Sequence, residues 1–250
     1  MKKTIYGFIV ICLCAVFSSA SAQDVVRIAN ETATPPFNFV DGDGKIQGFD
    51  VEIAAALCEV MGVEKVDVIQ DWDGMIPGLI AKKFDAIISD MSITGKRLKV
   101  VSFSKSYYDE QGLFLGRKGK NFNFSVEGMK GKKIAVQRAT TFANYIKGIY
   151  GSSVEIKYYE TPASQILDLL SGRVDLILAS DVFVHATINS EDGAKLAISG
   201  TPVTDKTYIG DGVGIAIRKQ DTELLSNFNK ALDTIKSNGT YDKIYNKWFR

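Results

Sequence analysis

A polar loop at residues 89–97 carries side chains suited to binding a small charged molecule. It follows Ala86-Ile87-Ile88, an apolar run that predicts a buried strand. Loops at such strand ends form the ligand sites of open α/β sheets. The guanidinium of Arg97 can grip a carboxylate, and the hydroxyl and carboxylate oxygens of the loop can accept hydrogen bonds from an ammonium group. The loop therefore has the parts needed to hold a zwitterion.

Four residues elsewhere could complete such a site. Thr140 and Thr141 lie between a predicted strand and a predicted helix, so their hydroxyls and the first helix amides can bind the same anion. Plain capping of that helix is an equally good and compatible explanation. Asp181 ends a buried strand, where an unpaired carboxylate is costly and a ligand ammonium would offset the cost. Trp72, in a loop, is either a core residue or a flat wall over the aliphatic part of a ligand.

The residue types give little support to catalytic or metal chemistry. One histidine, His185, cannot build a usual zinc site and is predicted to be an ordinary helix residue. The sequence has no Gly-x-Ser-x-Gly motif of a hydrolase. The run Gly210-x-Gly212-x-Gly214 precedes a predicted strand rather than a helix, so it does not match a nucleotide-binding loop. We therefore expect neither a metal nor a cofactor.

Residues 1–22 predict a secretory signal peptide. Two lysines precede the apolar run Ile5–Phe17, and Ala20-Ser21-Ala22 supplies the small residues of a cleavage site before Gln23. The mature chain is therefore expected to be exported to the periplasm. Lipid attachment to a cysteine of this segment is a weaker alternative, because a large residue precedes each of the two cysteines.

Composition limits the partners of the mature chain. The 30 Lys and Arg residues include Lys2 and Lys3, so the mature part carries 28 of them against 29 Asp and Glu. This balance argues against nucleic acid or a membrane surface as the main partner. No stretch after the signal peptide approaches the roughly 20 apolar residues of a membrane-spanning helix. Only Cys58 lies in the mature part, so it cannot form an intramolecular disulfide, and its place on an apolar helix face predicts burial.

Strand and helix patterns alternate along the chain, which predicts mainly parallel sheets. Strands are predicted at 25–29, 65–70, 85–88, 100–103, 112–115, 132–137, 154–158, 176–178, near 197 and at 215–217. Helices are predicted at 50–61, 75–82, 141–149, 162–171, from 181 to about 189, 221–237 and 241–249.

The alternation runs twice, which predicts two similar α/β lobes. Residues 82–90 and 172–181 share one pattern of helix end, basic residue, aspartate, apolar strand and Ser-Asp. The apolar C-terminal helices are expected to dock on the first lobe, so the chain crosses between lobes near 109–112 and near 206–214. Two crossings make a hinge. The predicted boundaries are 1–22 for the signal peptide, 23–110 with 208–250 for lobe 1, and 111–207 for lobe 2.

Five segments carry a family resemblance: Gly48–Met61, Asp71–Pro77, Met91–Thr94 with Arg97, Lys206–Gly214 and Asn238–Tyr245. They resemble the family 3 solute-binding proteins, which are the polar amino-acid receptors of ABC importers. The resemblance covers essentially all of the mature chain, with its motifs in the same order. It implies the two-lobe fold of the type II periplasmic binding proteins, in which each lobe is a mainly parallel sheet flanked by helices and the lobes close on one amino acid.

By this resemblance, one set of residues is expected to hold what every α-amino acid shares. Arg97 would bind the α-carboxylate, supported by Ser92 and Thr141, and Asp181 would bind the α-ammonium. Trp72 matches the aromatic wall of the cleft. The predicted ligand-binding residues are, in full, Glu31, Trp72, Ser89, Asp90, Met91, Ser92, Arg97, Thr140, Thr141 and Asp181.

The same resemblance favours a cationic ligand side chain. Glu31 matches an acidic residue that meets the distal cation in lysine-, arginine- and ornithine-binding relatives, and Ser89 and Asp90 match positions in the same pocket. Two carboxylates in one pocket repel unless a cation joins them. Arg138 could neutralise one of them instead, and Thr34 stands where an aromatic residue often covers the ligand, so the specificity stays open.

The resemblance thus implies a monomeric periplasmic receptor for arginine, lysine or ornithine that serves an inner-membrane ABC permease, without enzymatic activity, nucleic-acid binding or membrane insertion. Glutamine, another polar amino acid or an opine is an alternative ligand, because glutamine receptors also carry an acid at the Glu31 position and Arg138 would suit the extra carboxylate of an opine. A cyclohexadienyl dehydratase-like enzyme on the same scaffold is a further alternative. The pair of Arg97 and Asp181 argues against it, because prephenate has no ammonium group.

Overall fold

The computed structural model describes residues 24–250. The strands in this range are β1 (Val25–Asn30), β2 (Ala33–Thr34), β3 (Asn38–Val40), β4 (Ile46–Gln47), β5 (Glu64–Ile69), β6 (Ala86–Ile87), β7 (Val101–Phe103), β8 (Gly112–Arg117), β9 (Lys133–Gln137), β10 (Glu155–Tyr159), β11 (Leu176–Ser180), β12 (Leu196–Val203) and β13 (Ala216–Arg218). The helices are α1 (Phe49–Met61), α2 (Met75–Ile80), α3 (Gly95–Leu98), α4 (Thr141–Tyr150), α5 (Ala163–Leu170), α6 (Asp181–Ile188), α7 (Lys206–Ile209), α8 (Thr222–Ser237) and α9 (Thr240–Phe249). The predicted signal peptide, with its cleavage site before Gln23, lies outside the described residues.

The predicted strands and helices are present, with small shifts at their ends. Two helical turns, α3 and α7, are additional to the prediction. Each has four residues, which is too short for an apolar repeat to be seen in the sequence. Side chains cap both turns: Thr94 Oγ1 accepts from Arg97 N at 3.2 Å, and Asp205 Oδ1 accepts from Thr207 N at 2.9 Å.

Two five-stranded sheets repeat one topology. The first sheet has the strand order β5-β1-β6-β13-β7, and the second has the order β10-β9-β11-β8-β12. In the first sheet β13 runs antiparallel to both neighbours, and in the second β8 does so, whereas the remaining strands of each sheet share one direction. The mainly parallel sheets predicted from the alternation are therefore confirmed. A small third sheet, β2-β3-β4, lies between β1 and α1 in the chain.

The two antiparallel strands, β8 and β13, are those that follow the crossings of the chain between the sheets. The crossing segments pair with each other, because Tyr107 N donates to Val213 O at 2.9 Å and Val213 N donates to Tyr108 O at 2.8 Å. Two crossings that lie side by side can bend together, as a hinge requires. The lobe boundaries given above stay a prediction.

The C-terminal helices pack on the core of the first sheet. Phe228, Leu232 and Ile235 of α8 are buried in one apolar cluster with Leu57 and Cys58 of α1. Cys58 is 1% exposed, so its predicted burial is confirmed. Within residues 24–250, no helix has both the length and the apolar character needed to cross a membrane.

An ion-pair cluster at Asp85 ties the strands of the first sheet together. Arg27 of β1 donates to Asp85 through Nε and Nη2, both at 2.9 Å, and Arg218 of β13 donates to the same carboxylate at 3.0 Å. Arg218 is 8% exposed and also donates to the carbonyl oxygens of Leu79 and Phe84. Burial acts to raise the pKa of Asp85, but the hydrogen bonds from Arg27 and Arg218 and the charge of Arg27 outweigh it and lower this pKa to about 2.

Replacing Asp85 with Asn should lower the free energy of unfolding by about 1–2 kcal/mol at pH 7, because both arginines lose a carboxylate that is partly screened by solvent. A carboxyl group with a depressed folded pKa stabilises the fold above its unfolded pKa and loses that contribution as the pH falls through the folded pKa. Urea denaturation should therefore show the difference between wild type and Asp85→Asn shrinking as the pH falls from about 4 toward about 2. Asp233→Asn, which breaks an exposed pair with Lys105, is the matched control. A difference in unfolding free energy between wild type and Asp85→Asn that stays constant over this pH range would show that the pKa of Asp85 is not lowered in the folded protein.

Candidate ligand-binding cleft

A cavity with about 460 Å³ of empty space, part of it open to solvent, lies among loops of both sheets, and we call it the cleft. Residues before the first crossing that line it are Glu31, Thr34, Trp72, Ser89, Asp90 and Ser92, together with Glu110 of the crossing itself. Residues after the crossing that line it are Gln137, Thr140, Thr141, Phe142, Pro162, Gln165, Leu178, Ala179 and Ser180.

Seven of the ten predicted ligand-binding residues line the cleft: Glu31, Trp72, Ser89, Asp90, Ser92, Thr140 and Thr141. They follow β1, β5, β6 and β9, and the carboxyl ends of parallel strands meet at one edge of a sheet. Thr140 also caps α4, because its Oγ1 accepts from a first-turn amide at 3.1 Å, so the capping explanation is confirmed. That these residues bind a ligand stays a prediction.

Arg97 lies behind the wall of the cleft rather than in it. Its Nη1 donates to Ser92 O at 2.8 Å, and its guanidinium carbon lies 5.3 Å from the centre of the Trp72 ring. Arg97 lines a neighbouring cavity together with Thr141, which lines both cavities. Burial lowers the pKa of Arg97 to about 10, with nearby acidic groups opposing, so the side chain keeps its charge at neutral pH.

Asp181 and Met91 also lie outside the lining of the cleft. Asp181 begins α6, is 9% exposed and accepts from Val182 N at 2.9 Å. It lines neighbouring surface cavities together with Tyr108 and Tyr245, and burial raises its pKa. The side chain of Met91 is 2% exposed and packs in an apolar cluster of the first sheet, where it serves the core.

Glu31 is a buried acid that links the two sheets. Its carboxylate accepts hydrogen bonds from Thr34 Oγ1 at 3.2 Å and from Gln137 Nε2, and Gln137 belongs to the second sheet. Its backbone N donates to Ser89 Oγ at 3.1 Å. Burial raises the pKa of Glu31 to about 7, although the hydrogen bonds from Gln137 and Thr34 oppose the rise. Near neutral pH this carboxyl group is therefore poised between its two protonation states.

Asp50 fixes the backbone of the loop that carries Asp90. Asp50 is fully buried in α1, and its carboxylate accepts from Asp90 N at 2.7 Å, from Tyr107 Oη at 2.8 Å and from Asn38 Nδ2 at 3.3 Å. Burial raises the pKa of Asp50 to about 7, with these hydrogen bonds opposing. The φ angle of Asp90 is 48°, in the left-handed region that Asp tolerates better than most residues. The hydrogen bond to Asp50 holds this conformation in place.

Asp90 and Glu110 are neighbouring acids in the cleft. Ser92 Oγ donates to Glu110 Oε2 at 2.7 Å. Burial raises the pKa of Glu110 to about 7, and burial together with the charge of Glu110 raises the pKa of Asp90 well above its ordinary value. Asp90 Oδ1 is buried and has no hydrogen-bond partner among the described residues. Buried acceptors are normally paired, so this oxygen is suited to a ligand donor.

Glu110 and Gln165 are polar lining residues absent from the predicted site, as are Thr34, Gln137 and Ser180. Glu110 lies in the first crossing, which the sequence analysis treats only as a hinge. Gln165 of α5 is 0% exposed, and neither atom of its amide has a hydrogen-bond partner among residues 24–250. Glutamine is seldom fully buried, so its position on the same buried face of α5 as Ile166 and Leu169 is the signal that could have found it. The apolar and small lining residues Pro162, Leu178, Ala179 and Ser180 carry no such signal.

Arg138 does not neutralise the acids of the cleft. Its guanidinium pairs with Glu160 and, at 3.4 Å, with Asp73, at the rim of the cleft. Asp73 follows β5 of the first sheet and Arg138 follows β9 of the second, so this pair also joins the two sheets. No lysine or arginine among residues 24–250 lines the cleft, although Arg97 interacts through its charge with Glu110 and Asp90 from behind the wall.

Residues 26–250 match the sequence pattern of the bacterial extracellular solute-binding proteins, family 3. The chain belongs to this family. The family resemblance drawn from the sequence motifs is therefore confirmed, and the class is that of an extracellular solute-binding protein.

Individual relatives are similar in sequence to this chain over nearly its whole length. An L-arginine-binding protein of Pseudomonas aeruginosa is 39% identical over 231 residues, which cover 92% of this chain and 89% of that protein. The lysine/arginine/ornithine-binding periplasmic protein of Escherichia coli (strain K12) is 36% identical over 253 residues, which cover 100% of this chain and 97% of that protein. The solved structure of an ancestral arginine-binding protein bound to arginine has a TM-score of 0.84 and 36% identity, and covers 91% of this chain and 99% of that chain. The predicted two-lobe fold of the type II periplasmic binding proteins is confirmed.

Replacing Glu31 with Gln should change how the stability of the ligand-free protein depends on pH. A carboxyl group with a raised folded pKa contributes stability that is present below its unfolded pKa of about 4.5 and is lost as the pH rises through its folded pKa of about 7. The unfolding free energy of wild type relative to Glu31→Gln should therefore fall, by up to about 3 kcal/mol, between about pH 4.5 and pH 8. Urea denaturation at a series of pH values measures this difference, and Glu59→Gln removes the same charge from an exposed position of α1. Parallel pH profiles for wild type and Glu31→Gln would show that Glu31 does not titrate in this way.

Proposed function

We propose that this protein is a periplasmic receptor for a cationic L-amino acid, with arginine, lysine or ornithine as the ligand. One observation carries the proposal: Glu31, Asp90 and Glu110 line the cleft, and no Lys or Arg does so among the described residues. Three carboxyl groups in one cleft are costly to ionise when Arg97, behind the wall, is the one arginine among the described residues that lowers the pKa of Glu110. A ligand that brings a cationic side chain and an ammonium group therefore gains free energy from this lining. The relatives named for arginine, lysine and ornithine support the same class of ligand.

The proposed mechanism is closure of the hinge on the ligand. Arg97, with Ser92 and Thr141, meets the α-carboxylate, and Asp181 meets the α-ammonium. Arg97 and Asp181 each lie beside a lining residue, so ligand entry requires their side chains to rearrange locally. The ligand stabilises the closed state to the extent that it binds that state more tightly than the open one.

The receptor is proposed to act in the periplasm as a monomer after removal of the signal peptide, and to deliver its ligand to an inner-membrane ABC permease. Membership of the solute-binding family supports this role. We propose binding without turnover. Formation of phenylpyruvate from prephenate by the purified protein would contradict that part of the proposal.

Gln165 favours a second candidate ligand, glutamine. Its buried amide offers one donor group and one acceptor, both without partners among residues 24–250. A carboxamide or ureido side chain has a donor and an acceptor to match them, whereas a guanidinium has donors alone. Both carboxylate oxygens of Glu31 already accept hydrogen bonds from the protein, which weakens the preference for a cation at that position.

Arg97→Ala should reduce the affinity for L-arginine by at least about 100-fold, because the α-carboxylate loses its only cationic partner and a charge-assisted hydrogen bond. Titration calorimetry measures the dissociation constants. Arg173→Ala removes an exposed guanidinium paired with Asp168 far from the cleft and should leave the affinity unchanged. Wild-type affinity in Arg97→Ala would show that Arg97 does not bind the carboxylate.

Glu31→Gln should weaken L-arginine and L-lysine more than L-glutamine, by about 10-fold in the ratio of dissociation constants. The reason is that a carboxylate at this position attracts a distal cation, whereas a neutral amide does not. The comparison is made by calorimetry with the three amino acids at pH 8, where Glu31 is mostly ionised. Equal losses for all three ligands would remove the distal-cation role of Glu31.

A further inference from the structure

Glu110 lines the cleft and lies in the first crossing of the chain between the two sheets. It follows Tyr108, whose carbonyl oxygen accepts from Val213 N of the second crossing at 2.8 Å, and it precedes β8. It lines the cleft, and its Oε2 accepts from Ser92 Oγ at 2.7 Å. An acid is thereby directed from the hinge region into the ligand space.

Two acids, Asp90 and Glu110, line the cleft with Ser92, and a third, Asp181, adjoins the lining residue Ser180. Asp90 belongs to the loop after β6, Glu110 belongs to the first crossing, and Asp181 begins α6. After burial, the charge of Asp181 raises the pKa of Glu110, and the charge of Glu110 raises that of Asp90. Arg97 opposes the rise at Glu110. Glu110 shares the lining of the cleft with Asp90 and Ser92, whereas Arg97 does not line the cleft.

We infer that Glu110 binds the α-ammonium group of the ligand together with Asp181 and Ser92, and that it contributes to a preference for ligands that carry a free α-ammonium. The inference rests on the proposed function in that the ligand is an amino acid. It adds to the proposed site a residue from the hinge crossing.

The chemistry of an ammonium group fits this arrangement. An α-ammonium has three N–H donors in a compact cation, and the carboxylate oxygens of Glu110, Asp181 and Asp90 are acceptors suited to them. Asp90 Oδ1 has no hydrogen-bond partner among residues 24–250. Neighbouring carboxyl groups repel one another when they are ionised. A bound ammonium relieves this repulsion. Glu110 belongs to the first crossing and Asp181 begins α6. An ammonium group bound by both would therefore connect the crossing with α6.

The test compares ligands with and without the ammonium group on two matched variants. Titration calorimetry is run with L-arginine and with 5-guanidinopentanoate, which is arginine without its α-ammonium. Glu110→Gln keeps the shape of the side chain and an acceptor for Ser92 Oγ but removes the charge. Asp109→Asn makes the same chemical change at the adjacent exposed position. Thermal unfolding of each variant confirms that it is folded.

We expect Glu110→Gln to weaken L-arginine about 10- to 100-fold, as for loss of a charge-assisted hydrogen bond, and to change 5-guanidinopentanoate less than about 3-fold. Asp109→Asn should leave both affinities near those of wild type. If Glu110→Gln is unstable, Glu110→Asp keeps the charge and should retain part of the preference for L-arginine over 5-guanidinopentanoate. The inference is overturned if Glu110→Gln binds L-arginine as tightly as wild type or more tightly, or if both ligands lose the same factor.

Failure of the proposed ligand class is distinguishable from failure of this inference. All α-amino acids share the ammonium group, so a wild-type protein that binds L-glutamine but not L-arginine overturns the cationic ligand alone. The same variants are then compared with L-glutamine and with glutaramate, which lacks the ammonium. A wild-type protein that binds no amino acid overturns both proposals.

Discussion

The burial of carboxyl groups around one cleft is the physical constraint on which the rest of this structure depends. Glu31, Asp90 and Glu110 lose hydration in its lining and Asp50 loses it in the core behind, and burial is the largest cause of the raised pKa of each. Hydrogen bonds from the protein offset part of this cost for Glu31 and Asp50, whereas Oδ1 of Asp90 has no donor among residues 24–250. A cleft built in this way is completed by a ligand that brings positive charge and N–H donors.

Residues of both sheets make hydrogen bonds and ion pairs with the acids in and around the cleft. Ligand binding is therefore connected with closure of the two lobes. Asp50 holds the Asp90 loop from the core of the first sheet. Gln137 reaches Glu31 from the second sheet, and Arg138 meets Asp73 at the rim. A ligand that contacts both sets of residues stabilises the arrangement in which the sheets are close together. The paired crossings at Tyr108 and Val213 then provide the place where the chain can bend.

Much of the fold could be derived from the sequence, and seven of the ten predicted site residues line the cleft, for identifiable reasons. Strand and helix periods predict the elements because side-chain burial repeats along each of them. The position of Ser89 and Thr140 after strands places them in the cleft, because parallel strands end at one edge. The period fails for α3, whose four residues are stabilised by a cap. The burial period also gives no information about Glu110, because Glu110 lies in a crossing segment that is neither a helix nor a strand.

The sequence by itself determined the family, the α/β alternation, the strand-end loops and the types of side chain offered to a ligand, because these depend on local order along the chain. The tertiary structure decided which of these side chains share one enclosed space. It placed Arg97 behind Ser92, Met91 in the core and Asp181 beside the cleft, and it brought Glu110 and Gln165 into the lining. The physical reason is that desolvation and pairing of a charged group depend on neighbours distant in the chain, and only folding brings those neighbours together.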